Sequence, residues 1–135
     1  MKKVILDTNV VISGIFFSGP PSKILEEWAK KRFQLITNNE ILDEYREVAN
    51  ELSQKFKKIN QEKMIELISL NSKVFFSIDL KEVVTEDPKD EKFIACAIAS
   101  KTKIIVSGDK HLLKVSGYKG IQILKPRHFL DEFLT

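Results

Sequence analysis

The sequence predicts an α/β fold with a mainly parallel sheet. Two observations carry this expectation. Short apolar runs bounded by turn residues alternate with segments whose apolar residues recur at helical spacing. The first run, Val4-Ile5-Leu6, shows no polar alternation, as in a strand covered on both faces. A chain of 135 residues has the length of one domain and can bury a core without staples. Residues 1–135 are therefore expected to form a single domain.

After that first strand come Asp7, Thr8 and Asn9, each a residue type that caps helix N-termini. Val10, Val11, Ile12 and Ile15 continue a short helix, and Ser18-Gly19-Pro20-Pro21-Ser22 breaks it. Ile24, Leu25 and Trp28 then recur at helical spacing, and Phe33 to Thr37 reads as a second strand. Asn38 or Asn39 caps a helix carrying Ile41, Leu42, Tyr45, Val48, Ala49 and Leu52. Met64, Ile65, Leu67 and Ile68 mark another helix, and Val74 to Ile78 a third strand. Asp87-Pro88-Lys89-Asp90 is a loop into a helix from Glu91 to Ser100. Lys103 to Ser107 is the fourth strand, followed by a turn and short helix from Gly108-Asp109 through Leu113. Gly120 to Leu124 is the last strand, and Pro126 opens a terminal helix. No repeat, low-complexity tract or linker interrupts the pattern.

Composition narrows the function classes. The hydrophobic fraction of 43% and charged fraction of 30% fit a soluble globular protein. No stretch approaches the roughly 18 apolar residues of a membrane span. Met1-Lys2-Lys3 and the run after it superficially resemble a signal peptide, but Asp7 and Asn9 interrupt the run without a clean cleavage site. The single cysteine, Cys96, rules out an internal disulfide and lies in the apolar run Phe93 to Ile98. It reads as a small buried hydrophobe in a reducing, cytoplasmic setting. A net charge of +3 and a pI near 8.9 permit a polyanionic partner without demanding one.

Most of the 19 acids must be ordinary surface charges, so the informative ones are those forced inward. Asp7 lies between Val4-Ile5-Leu6 and Val10-Val11-Ile12, where a carboxylate is expensive to bury unless paired or metal-bound; a plain helix cap is the simpler reading. Asp90 precedes Phe93, Ile94 and Ala97 at i+3, i+4 and i+7 and so begins the buried face of its helix. Asp87, before Pro88, reads as a turn residue. Glu44 has Ile41 and Val48 as its i−3 and i+4 neighbours, though a solvated edge charge fits the same spacing. Asp109 follows the run Ile104-Ile105-Val106-Ser107-Gly108, where glycine allows close backbone approach or a positive φ. Asp7 and Asp109 both fall at strand ends, and sites in open parallel sheets form outside the C-terminal ends of strands.

Inward carboxylates with no Cys or His cluster suit a hard cation, Mg²⁺ or Mn²⁺. His111 and His128 have no partners at a zinc-ligand spacing and read as surface residues. The Phe16-Phe17 pair reads as core or as an apolar patch for a partner or second subunit.

The four motifs together resemble the PIN domain, the nuclease fold of many bacterial and archaeal toxins. The matching segments are Val4-Ile5-Leu6-Asp7-Thr8-Asn9, Glu40-Ile41-Leu42-Asp43-Glu44-Tyr45, Asp90 through Ala97, and Ile105-Val106-Ser107-Gly108-Asp109. The resemblance implies a three-layer α/β/α sandwich with a mainly parallel central sheet. It also implies a metal-dependent endoribonuclease, with Asp7, Glu44, Asp90 and Asp109 as catalytic and metal-holding acids and one or two Mg²⁺ or Mn²⁺ ions. Thr8, Asn9 and Ser107 would be supporting polar groups. The implied partners are RNA, an antitoxin protein and a second copy of the chain. Lys110-His111 stands where related sequences often carry a further acid.

RNA-backbone contacts are expected from Lys110 and Lys114 beside Asp109, with Lys23, Lys30-Lys31-Arg32, and Lys55 with Lys57-Lys58 as further candidates. Two alternative readings stand beside the nuclease. Asp7-Thr8-Asn9 resembles the start of haloacid-dehalogenase-like phosphatases, with Asn9 where the second Asp would be. A non-catalytic RNA-binding scaffold of the same fold is the other.

Overall fold

The computed structural model describes residues 1–56 and 60–134. Five parallel strands form one sheet: β1 (Lys3–Leu6), β2 (Gln34–Asn38), β3 (Lys73–Phe75), β4 (Ile104–Val106) and β5 (Gln122–Leu124), in the order β3-β2-β1-β4-β5. Seven α-helices accompany them among the described residues: α1 (Thr8–Phe16), α2 (Pro20–Ala29), α3 (Asn39–Ser53), α4 (Gln61–Asn71), α5 (Glu91–Ser100), α6 (Lys110–Leu113) and α7 (Pro126–Phe133).

The apolar runs explain the centre of this sheet. Val4, Ile5 and Leu6 of β1 and Ile105 and Val106 of β4 are fully enclosed. These two strands pair Ile5 with Ile105 and Leu6 with Val106. Crossovers from β1 run towards β3, and those from β4 run towards β5. Right-handed connections then place α1 to α4 on one face and α5 with α6 on the other, giving an α/β/α sandwich. Helix α7 returns to pack on α2, with Phe129 fully buried and edge-on to Phe33 at 5.6 Å.

Helix starts follow the local chemistry. Asn38 caps α3 by accepting the Ile41 N–H at 2.8 Å, and proline opens both α2 and α7. The segment Ser18 to Ser22 therefore serves as a start as well as a break.

Three strands are shorter than expected: β4 covers only Ile104–Val106, the part paired with β5, and β3 and β5 are also short. β3 ends at Phe75 because its neighbour, β2, ends at Asn38, which pairs with it. Phe76 lies beyond the ladder and is exposed. β5 begins at Gln122 because Gly120 has a φ of 78° and turns the chain. Phe16 and Phe17 divide between the two readings of that pair. Phe16 is buried, while Phe17 is half exposed and packs edge-on against Phe56 at 5.3 Å. Cys96 is enclosed, and burial pushes its thiol up to about 12, so it remains an inert thiol. No helix among the described residues is long and apolar enough to cross a membrane.

Candidate active site

The connections from β1 and β4 leave in opposite directions. A crevice therefore opens outside their C-terminal ends, the usual place for a site in a parallel sheet. Asp7 is the residue after β1. Its N–H donates to the Val106 carbonyl at 2.9 Å, extending the ladder by one step and setting Asp7 beside Ser107. Ser107 Oγ donates to Asp7 Oδ2 at 2.6 Å and accepts the Asp109 N–H at 2.9 Å. One hydroxyl thus joins the two strand-end acids.

Asp7 occupies the N-cap position of α1, yet its side chain makes no capping bond. Only 5% of the residue is exposed. Burial raises its carboxyl pKa. The Ser107 hydrogen bond works against this, the Asp109 charge adds to it, the Thr8 N–H opposes it, and the Glu44 charge adds again. The net direction is upward.

Asp90 ends a 3-10 turn at Pro88–Asp90, and the residue is 6% exposed. Its Oδ2 is buried with no hydrogen-bond partner among the described residues. Burial is the first cause of a carboxyl pKa raised to about 7. The charges of Asp109, Asp7 and Asp87 add to it, and Lys92 opposes them. Asp87 is the turn residue, its Oδ1 accepting the Lys89 N–H at 3.0 Å.

Asp109 both caps and faces the crevice. Oδ1 accepts the His111 N–H at 2.7 Å, starting α6. Gly108 has open space around it and no positive φ. Neither reason for a glycine there applies, and the structure supplies no other.

Glu44 enters from α3. Tyr45, fully buried, donates its hydroxyl to the Leu6 carbonyl and so fixes α3 against the end of β1. That contact sets Glu44 beside Thr8, whose hydroxyl donates to Glu44 Oε2. Glu44 Oε1 is paired with Lys92 Nζ at 2.8 Å. Glu44 is half-buried, whereas Glu40, Glu47 and Glu51 on the same helix are exposed.

Other expectations fare unevenly. Asn9 is exposed, and among the described residues no hydrogen bond joins it to these acids. Lys110 is exposed beside Asp109, and Lys114 is paired with Glu86 at 3.1 Å. Glu86 also lies 3.2 Å from His111 Nδ1 without satisfying it as a hydrogen bond, and His111 is half-buried rather than fully exposed. Lys23, Lys30 and Arg32 converge on the buried Glu27 at 3.4, 3.7 and 2.9 Å. Their charges outweigh burial there and hold its carboxyl below the usual range. Lys55 is exposed, while Lys57 and Lys58 lie outside the described residues.

Lys92 is the residue that sequence reasoning missed. A signal existed: a lysine in the first turn of a helix sits against the helix dipole and calls for a compensating acid.

Among the described residues, no three His, Cys, Asp or Glu side chains stand together at ligating spacing. The acids are neighbours in an open crevice rather than a closed cage, as expected for like charges that repel. The donor set still fits a hard cation. It consists of oxygens, it contains a buried carboxylate oxygen with no partner among the described residues, and neighbouring carboxylate charges add to the upward shifts of Asp7 and Asp90.

Ser107→Ala would free Asp7 and Asp109 from their shared hydroxyl. We expect Mn²⁺ affinity to fall about 10- to 100-fold, the usual effect of losing a group that orients a ligand. Calorimetry checks this, and unchanged affinity would show that the hydroxyl does not orient them.

Buried carboxylates at the switch point of an all-parallel sheet define an α/β protein with an acidic crevice. A family model described as the PIN domain matches residues 3–111, a span that contains all four acids. The chain belongs to the PIN domain family, whose members are generally nucleases. No curated protein matches it.

Proposed function

We propose that residues 1–135 form one metal-dependent endoribonuclease domain, a phosphodiester hydrolase acting as the toxin of a toxin–antitoxin pair. The observation that carries this reading is Asp90: a buried carboxylate, with one oxygen unpartnered among the described residues, in electrostatic contact with Asp7 and Asp109. Toxin action, pairing with an antitoxin, a homodimeric state and a cytoplasmic location rest on the family resemblance.

Hydrolysis of an RNA phosphodiester forms a bond from water oxygen to phosphorus and breaks the bond to the leaving oxygen. Negative charge builds on the phosphate and on the leaving oxygen. A bound Mg²⁺ or Mn²⁺ lowers the pKa of water and offsets that charge. The protein's part is to hold the ion with Asp7, Asp90 and Asp109, and to hold those acids with Ser107. Thr8 fixes Glu44 at the side of the crevice. Lys110, exposed beside Asp109, would meet the RNA backbone. The phosphatase reading draws no support from Asn9, which is exposed and not linked to Asp7.

The test is cleavage of a mixed single-stranded and structured RNA pool with Mn²⁺, with EDTA, and with Asp7→Asn. We expect cleavage with Mn²⁺ alone, and its loss with either EDTA or the substitution. Cleavage that survives both would sink the reading.

A further inference from the structure

Glu44 differs from the other acids in how its oxygens are used. Oε2 accepts from Thr8 and Oε1 is paired with Lys92, so both are committed to side chains. Asp7 Oδ2 takes the Ser107 hydroxyl and Asp109 Oδ1 takes the His111 N–H. Among the described residues, each leaves its second oxygen without a side-chain hydrogen bond. Asp90 Oδ2 has no partner at all among the described residues. The oxygens open to an ion therefore belong to Asp7, Asp90 and Asp109.

Lys92 is held as firmly as Glu44. Only 14% of its side chain and 23% of that of Glu44 are exposed. Its ammonium also donates to the Lys89 carbonyl and lies 5.5 Å from the centre of the Phe93 ring. Ordering a lysine this way costs side-chain entropy, and the N-terminus of α5 opposes its charge. An ammonium carries three donors, two of which are used here. The ammonium acts electrostatically on Asp90, which sets it beside the aspartates; the groove of about 470 Å³ on its other side is dominated by acids, Glu40, Asp43, Glu47 and Glu51 among them.

The geometry points to a division of labour that rests on the metal-dependent nuclease reading. Asp7, Asp90 and Asp109 hold a single divalent ion. Glu44 holds no ion and anchors Lys92, whose ammonium presents a second, fixed positive charge to the scissile phosphate. An ion on Glu44 would have to displace Lys92 or stand against its charge, which disfavours a second metal. In sites with two ions, the pair clamps the attacking and leaving oxygens about 3.5–4 Å apart. Here one member of such a clamp is a side chain.

Calorimetric titration of the full chain with Mn²⁺ tests this, together with steady-state cleavage of the RNA pool. Wild type should bind one Mn²⁺. Glu44→Gln should bind one with affinity within about 3-fold of wild type, while Asp90→Asn should weaken it more than about 10-fold. Lys92→Gln should keep or tighten the single site yet lower kcat about 100-fold, as loss of a preorganised charge does. Lys92→Arg should restore part of kcat. The double variant Glu44→Gln/Lys92→Met leaves no enclosed unpaired charge and should still bind one ion. It therefore decides the question if Glu44→Gln alone does not fold.

Two ions per wild-type chain would overturn the inference and leave the nuclease reading standing. So would a loss in Glu44→Gln, or in the double variant, equal to that in Asp90→Asn. An unchanged kcat in Lys92→Gln would overturn the role given to the ammonium. No Mn²⁺ binding by wild type would overturn the nuclease reading itself.

Discussion

Asp90→Asn is expected to abolish Mn²⁺-dependent RNA cleavage, by about 10³-fold, while making the metal-free protein more stable at pH 8. The two effects share one cause. The Asp90 carboxylate is buried, with Oδ2 unpartnered among the described residues and the Asp109, Asp7 and Asp87 charges acting on it. When ionised and without a cation, it destabilises the fold. The amide keeps its shape and removes the charge, so the fold gains about 2 kcal/mol, half of what the full shift would give. In the proposed nuclease the same charge would help hold the cation. Losing several kcal/mol of transition-state charge stabilisation, at about 1.4 kcal/mol per decade, gives the stated loss of rate. Thermal denaturation in EDTA and a cleavage assay in Mn²⁺ measure the two sides. A variant that is less stable at pH 8, or that still cleaves well, would show that Asp90 is a structural acid.

How far the sequence foretold this arrangement depends on how local each signal is. β1 and Asp7 are legible because an acid between two apolar runs is an anomaly within ten residues of chain. Asp90 is legible because helical phase alone puts it above Phe93, Ile94 and Ala97. Asp87 separates from it by its proline neighbour, and the structure makes it a cap. Glu44 is different. Its distinction from Glu40, Glu47 and Glu51 comes from the Tyr45 anchor on Leu6 and from Thr8, both contacts across the fold. Lys92 is harder still, because its partner lies 48 residues away. The lysines read as RNA contacts show the same limit. Lys23, Lys30 and Arg32 look like free charges in sequence, but Glu27 gathers them on one turn of α2 and the loop after it. The ends of β3 were not legible because an edge strand stops where its neighbour stops.

Acid titration separates the metal-free protein from the metal-bound one by the sign of its pH dependence. In the folded chain the Asp90 carboxyl pKa is about 7, against an ordinary value of 3.8. Asp7 is shifted in the same direction. Between those values the folded state binds more protons than the unfolded state, so stability falls as pH rises. The contribution is fully present near pH 4 and gone above about pH 7. The full shift corresponds to about 4 kcal/mol at 1.36 kcal/mol per unit. Relaxation and water entry reduce this to about 2 kcal/mol, or about 7 °C in Tm for a domain of this size. Glu27 and Glu86 are shifted downward, and their stability is lost only as pH falls below the ordinary carboxylate range. Roughly three-fifths of the Asp90 contribution remains at pH 5, so the metal-free protein in EDTA should melt about 4 °C higher at pH 5 than at pH 8. Mn²⁺ requires ionised ligands, so its affinity rises with pH and its binding stabilises the fold by mass action. At saturating Mn²⁺ the order should reverse, with the higher Tm at pH 8. Asp90→Asn should flatten both profiles. A metal-free Tm that stays level or falls from pH 8 to pH 5 would mean that Asp90 is ionised at no cost, and the argument for a cation between these acids would lose its foundation.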